Sequence, residues 1–202
     1  ENSLAGISLA LPIAGKVGGI AAFVGTGSAS DLSQAIGLGD TKTQSKIFGN
    51  LVMIGVVISL SITFIGYGFA QELTTIMGGN GEVALEGSNY LKILSLGTIF
   101  FIIGKALGEV ISAEGQIKWA TKSMGIFVTL NIFFNYLFIT IYDGGTAQLA
   151  LATVIAMMIA TIFNLAYFIL RKSLTPVNLK KLVIAKDLLP EIFSVGVASL
   201  IY

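Results

Sequence analysis

Three stretches of this chain carry no charged residue at all: Ile47–Gln71, Ser123–Tyr142 and Gly144–Leu170. As helices rising about 1.5 Å per residue, each is long enough to cross a hydrocarbon layer roughly 30 Å thick. Nothing in lipid hydrogen-bonds an exposed backbone, so a spanning segment must be a helix or a strand of a closed barrel. No alternation of polar and apolar residues of the barrel kind runs along these stretches. The fold class that remains is all-α, a polytopic bundle of membrane helices. Composition agrees. Of 202 residues, 54% are hydrophobic and 11% charged, against about 25% charged in soluble proteins. The mean hydropathy is +0.87.

The sequence predicts five complete transmembrane helices and the start of a sixth. The first runs from about Leu4 to Ser30, the second lies between Lys46 and Glu72, and the third runs from about Asn89 to Ser112. The fourth is centred on Thr129–Ile139, the fifth is Gly144–Leu170, and the sixth begins near Asp187. That sixth helix is too short to cross before Tyr202, and Glu1-Asn2 lead almost directly into an apolar stretch with no basic leader. The chain reads as a piece of a longer one.

Charge along the connections sets an orientation. Lys42 and Lys46 follow the first span, Lys118 and Lys122 the third, and Arg171, Lys172, Lys180, Lys181 and Lys186 the fifth. The alternate connections hold Glu72, Glu82 and Glu86, and then Asp143, with only Lys92 nearby. Basic residues mark cytoplasmic loops, so the loops after Ser30, Ser112 and Leu170 are expected on the cytoplasmic side of the inner membrane. Residues 173–186 form the connector beyond the fifth span. Leu179, Leu182 and Val183 share one helical face there and Lys180 and Lys181 another, the pattern of a helix lying in the interface. A plain solvated linker is the other reading. Pro190 fits the first turn of the helix that follows, where no amide hydrogen is required.

Several function classes fall away. With no Cys and no His, thiolate and imidazole metal sites, disulfides and imidazole-based catalysis are excluded. A net charge of +1 gives no footprint for nucleic acid. Gly25-Thr26-Gly27 and Gly37-Leu38-Gly39 lack the third glycine of a dinucleotide loop, and neither leads into Gly-Lys-Ser/Thr. No two carboxylates share a span. Catalysis is not expected, and no cofactor.

What remains is polarity at membrane depth. Asn131 and Asn135 lie one turn apart in the fourth span, so their amides share a face. Amides in lipid need partners or water, so this face either fastens helices together or lines a pathway. Counting back from Asp143-Gly145, Thr153 of the fifth span lies level with Asn135 and completes a candidate set. Lys105 and Glu109 are one turn apart and can pair, although Lys before Glu is the less favourable order. The small-residue pairs Gly15/Gly19 and Gly104/Gly108 mark close helix crossings. Lys16, near the middle of the first span, either faces water or a partner, or lies outside the bilayer on a helix longer than the membrane.

The chain resembles the multidrug and toxic compound extrusion (MATE) family in its N-terminal lobe. The matching pieces are Ser8–Gly15 (SLALPIAG), Gly25–Asp40 (GTGSASDLSQAIGLGD), Ala113–Met124 (AEGQIKWATKSM), Thr129–Ile139 (TLNIFFNYLFI) and Leu151–Ala156 (LATVIA). The resemblance implies helices two to seven of a twelve-helix fold. Residues 1–172 would then belong to the N-terminal lobe, 173–186 to the inter-lobe connector and 187–202 to the first helix of the C-terminal lobe of the same chain. It further implies alternating access and export of small organic compounds, coupled to Na⁺ or H⁺. Asn131, Asn135 and Thr153 fall on the family's polar N-lobe site, with Asn135 where many members carry an aspartate. Two other readings stand beside it: a lipid-linked oligosaccharide flippase of the same superfamily, which Lys16 favours, and a membrane scaffold that transports nothing.

Overall fold

The computed structural model describes residues 2–142, 144–170, 173–174, 185 and 188–200. In chain order the helices are α1 (Asn2–Gly37), α2 (Thr41–Gly68), α3 (Ala70–Ile76), α4 (Gly81–Leu96) and α5 (Thr98–Ala113). They are followed by α6 (Ile117–Tyr136), which continues as a π-helical turn over Leu137–Ile141, then α7 (Thr146–Ile169) and α8 (Leu189–Leu200). There is no strand among the described residues. Helix α1, α2, α6 with its π turn, and α7 are each long and apolar enough to cross a membrane.

The third expected span is two helices. α4 and α5 together pass the same test, but they meet at a bend of 52°. Gly97 sits at the break, where its N–H bonds Leu94 O and Ser95 O and ends α4. A Cβ on this residue would meet Val154 of α7 at 2.5 Å, so only glycine allows α7 so close. A mid-helix glycine already costs about 1 kcal/mol against alanine, and here the weak point becomes a corner. The other differences are of length. α1 reaches Gly37 rather than stopping at Ser30, about 54 Å of helix, longer than a bilayer core. The second span ends at Gly68, and the short α3 follows as a separate element. Pro190 lies in the first turn of α8, as its chemistry requires, whereas the expected amphipathic helix of the connector falls outside the described residues.

The ends of the helices that carry Lys42, Lys46, Lys118 and Lys122 gather at one end of the bundle, here called the basic end. The core gathers there too. Leu32 of α1, Ile47 and Leu51 of α2, Leu107 and Ile111 of α5 and Phe168 of α7 are all buried in one cluster. Away from that end the bundle opens, and α6 exposes Ile132, Phe133 and Tyr136. Lipid tails are as apolar as leucine, so what holds such helices together is close packing of small residues and bonds between them. Gly104 illustrates both: a Cβ there would collide with the Thr161 hydroxyl of α7, and that hydroxyl donates to Phe100 O at 2.7 Å. Gly108 lies against Asn164 one turn on, so the Gly104/Gly108 pair does mark a crossing. Gly15 does not, since a Cβ there would meet nothing within 4 Å.

Two buried polar groups at the basic end hold the beginning and end of the connector. The Glu114 carboxylate, 9% exposed, accepts from Tyr167 Oη at 2.7 Å, Ser173 Oγ at 2.5 Å and the Leu174 N–H at 3.1 Å. Asn50 of α2, wholly buried, accepts the Ala185 N–H at 3.0 Å.

Candidate functional site

The polar groups of α6 and α7 are joined in a row. Asn135 Nδ2 donates to Asn131 Oδ1 at 3.1 Å, Asn131 Nδ2 donates to Thr153 Oγ1 at 3.0 Å, and Thr153 Oγ1 donates to its own helix at Leu149 O, 3.2 Å away. Helical spacing puts the two asparagines on one face, and the antiparallel packing of α7 on α6 brings Thr153 to the same place. From α4, Tyr90 directs its hydroxyl at Thr153. All three candidate residues therefore come together, and all three are half-buried.

The register differs by a turn from the one counted from the sequence. Asn131, not Asn135, faces Thr153. α7 starts only at Thr146, and α6 closes in a wide π turn whose end is tied by Gly144 N donating to Phe138 O at 2.9 Å. A tight symmetrical reversal is therefore absent, and counting equal steps back from it places the two helices wrongly.

The row runs in one direction and ends in an open valence. Asn135 Oδ1 is buried and has no hydrogen-bond partner. A buried acceptor left so costs about 1–3 kcal/mol, a cost that a donor group or a cation removes. Electrostatically the place is an acceptor, built from groups that do not titrate.

None of the three residues lines either of two cavities found among the described residues. The first, about 240 Å³, lies among α1, α2, α4 and α5. Its walls are apolar apart from Lys16 and the hydroxyls of Ser95 and Thr98. Lys16 is exposed, a position open to either reading of it. The second cavity, about 480 Å³, lies between α5, α6 and α7 near the basic end, with Lys105, Glu109 and Asn164 in its wall. The expected ion pair of Lys105 with Glu109 does not form. Lys105 Nζ reaches across to Gly18 O of α1 at 3.3 Å instead, and the Glu109 carboxylate stays at the cavity.

Three polar residues stand out that sequence reasoning passed over. Tyr90 looked like part of an apolar span. Asn164 is an amide inside a charge-free run, the same signal that drew attention to Asn131; it is 4% exposed and donates to Gly104 O at 2.9 Å. Glu114 sits in a loop by sequence, and only the fold reveals its burial.

Comparison with known proteins bears on this geometry. A sequence model of the MatE family matches residues 1–137. The multidrug export protein MepA of Staphylococcus aureus is 27% identical over 197 residues, which cover 98% of this chain and 44% of that protein. MepA of Staphylococcus saprophyticus is 28% identical over 201 residues, with 97% and 44% covered. The chain thus spans less than half the length of these relatives. Among solved structures, a multidrug resistance MATE transporter of the MOP superfamily in its outward-facing conformation superposes with a TM-score of 0.93 at 23% identity, covering all of this chain and 45% of that one. A MOP superfamily transporter from Pyrococcus furiosus, described as having a binding pocket of reversed polarity, gives 0.92 at 23% identity with the same coverage. At such identity the likeness concerns the fold.

Proposed function

The chain belongs to the MATE family, whose members are multi-pass membrane transporters and not enzymes, and from that premise we propose that it forms most of one lobe of a cation-coupled exporter. The cargo is a drug or another small organic compound, moved by alternating access and exchanged for Na⁺ or H⁺. The partners are the lipid bilayer and the C-terminal lobe of the same full-length protein, and the basic end faces the cytoplasm, a placement that the distribution of Lys supports. The names of the relatives, multidrug export proteins, support the cargo class.

The observation that carries the reading is the directed row Asn135–Asn131–Thr153, which ends on a buried acceptor without a partner. A carboxamide does not ionise near neutral pH, so Asn135 would coordinate Na⁺ or accept a bond from cargo and would not carry H⁺. Asn131→Ala and Asn135→Ala in the full-length protein should slow efflux of a fluorescent dye at unchanged protein level in the membrane. Wild-type efflux from both variants would overturn the reading and leave a scaffold.

A second reading, a lipid-linked oligosaccharide flippase, has one observation in its favour: the single cation Lys16 in the wall of an apolar cavity. Lys16→Ala should then abolish lipid-linked sugar transfer without a drug phenotype, whereas under the first reading it leaves lipid transfer unaffected.

A further inference from the structure

The cavity between α5, α6 and α7 begins one turn from the asparagine row and runs on toward the basic end. On α7 its wall runs from Met157, one turn beyond Thr153, to Asn164, whose Cα lies about 16 Å nearer the basic end than that of Thr153. On α6 its last wall residue is Phe127, one turn before Asn131. The chemistry of its wall is one-sided. The hydroxyls of Ser112, Ser123 and Thr161 donate to the helix carbonyls of Gly108, Ala160 and Phe100, so they offer lone pairs to the space. Asn164 donates to Gly104 O, and its buried Oδ1 has no partner. The Glu109 carboxylate, half-buried, forms no ion pair with its neighbour Lys105, which is drawn to α1. Glu109 is also held in position: its stem crosses α1 at Gly25, where a Cβ would meet Glu109 Cγ at 2.9 Å and Ala106 Cα at 3.0 Å. The rest of the wall is aromatic and thioether, including Phe100, Phe127 and Met157.

A carboxylate set among aromatic rings suits a monovalent cation with a flat apolar body: the charge meets Glu109, and the rings stack or make cation–π contact. We propose that this cavity is a second cargo site, in which Glu109 receives the positive charge of an organic cation before the cargo reaches the asparagine row. The site rests on the exporter reading given above. Lys105, in the same wall, opposes the cation and limits its affinity, so the two charges have opposite signs of effect.

The test is equilibrium binding of ethidium to the purified full-length protein, followed by fluorescence, with the uncharged dye N-phenylnaphthylamine as control. Glu109→Gln keeps shape and hydrogen bonding and should weaken ethidium binding about tenfold, while Lys105→Gln should tighten it several-fold. Binding of the uncharged dye should change in neither variant, and Glu109→Asp should restore part of the lost affinity. Unchanged ethidium binding in Glu109→Gln, or an equal loss for both dyes, overturns the inner site. Asn131→Ala separates the two readings. If it slows dye efflux while Glu109→Gln binds normally, the inner site fails and the exporter reading stands; if neither variant has an effect, both fail.

Discussion

Asn131 donates to the Thr153 hydroxyl at 3.0 Å and accepts from Asn135 at 3.1 Å, so one amide couples two helices and a second turn of its own. Bonds of this kind inside membranes are worth about 0.6–1.7 kcal/mol. A double-mutant cycle with Asn131→Ala and Thr153→Ala should return a coupling energy of about 1 kcal/mol by thermal unfolding in detergent. The cycle of Asn135 with Thr153 should return almost none.

The Glu114 carboxylate accepts from a buried tyrosine, a serine and a backbone amide. Glu114→Ala removes three charge-assisted bonds and leaves the Tyr167 hydroxyl, in a residue 2% exposed, without its acceptor. A loss of about 3 kcal/mol is expected, seen as a lowered unfolding temperature. Tyr167→Phe removes one donor only and should cost about 1 kcal/mol.

Gly104 has no room for a side chain against Thr161. Gly104→Val should separate α5 from α7 and cost about 1–3 kcal/mol. Gly15→Ala, with open space around it, should leave stability unchanged or raise it slightly through better helix propensity. The two substitutions in parallel distinguish crossing glycines from merely frequent ones.

Asp40 caps α2, accepting from Thr43 Oγ1 at 2.6 Å and from the amides of Lys42 and Thr43 at 3.0 and 3.1 Å. The Thr43 hydroxyl, before any other group, holds its carboxyl below the usual carboxylate range. A depressed folded value means that the stabilisation is complete above the unfolded pKa, near 4. It is lost as pH falls through the lower, folded value. Protection of the first amides of α2, measured relative to intrinsic exchange at each pH, should therefore fall on acidification below about pH 4, and in Asp40→Asn that protection should no longer change with pH there.

Much of the fold was legible because lipid removes alternatives. A charge-free run such as Gly144–Leu170 has one viable backbone, and α7 follows it closely. The bend at Gly97 was not legible, since a glycine in a helical pattern tells nothing of Val154 across the interface. Of the candidate site, the set Asn131, Asn135 and Thr153 was readable from helical spacing and one turn. Its internal pairing was not, because the π turn at Leu137–Ile141 breaks the count on which the estimate relied. Lys105 and Glu109 failed for a related reason. Neighbours along one helix were expected to pair, and a carbonyl on α1 competed for the lysine.

The two clasps at the basic end bear on how α8 can travel. Glu114 fastens Ser173 and Leu174, and Asn50 fastens the amide of Ala185, so both extremities of the tether are anchored on the bundle. The Leu188 N–H at the start of α8 in turn bonds Ala185 O at 3.1 Å, so a swing of α8 pulls on Ala185 and its bond to Asn50. Such a swing would sweep Ile192 and Gly196 over Gly27 and Phe23 of α1, the surfaces against which they now fit.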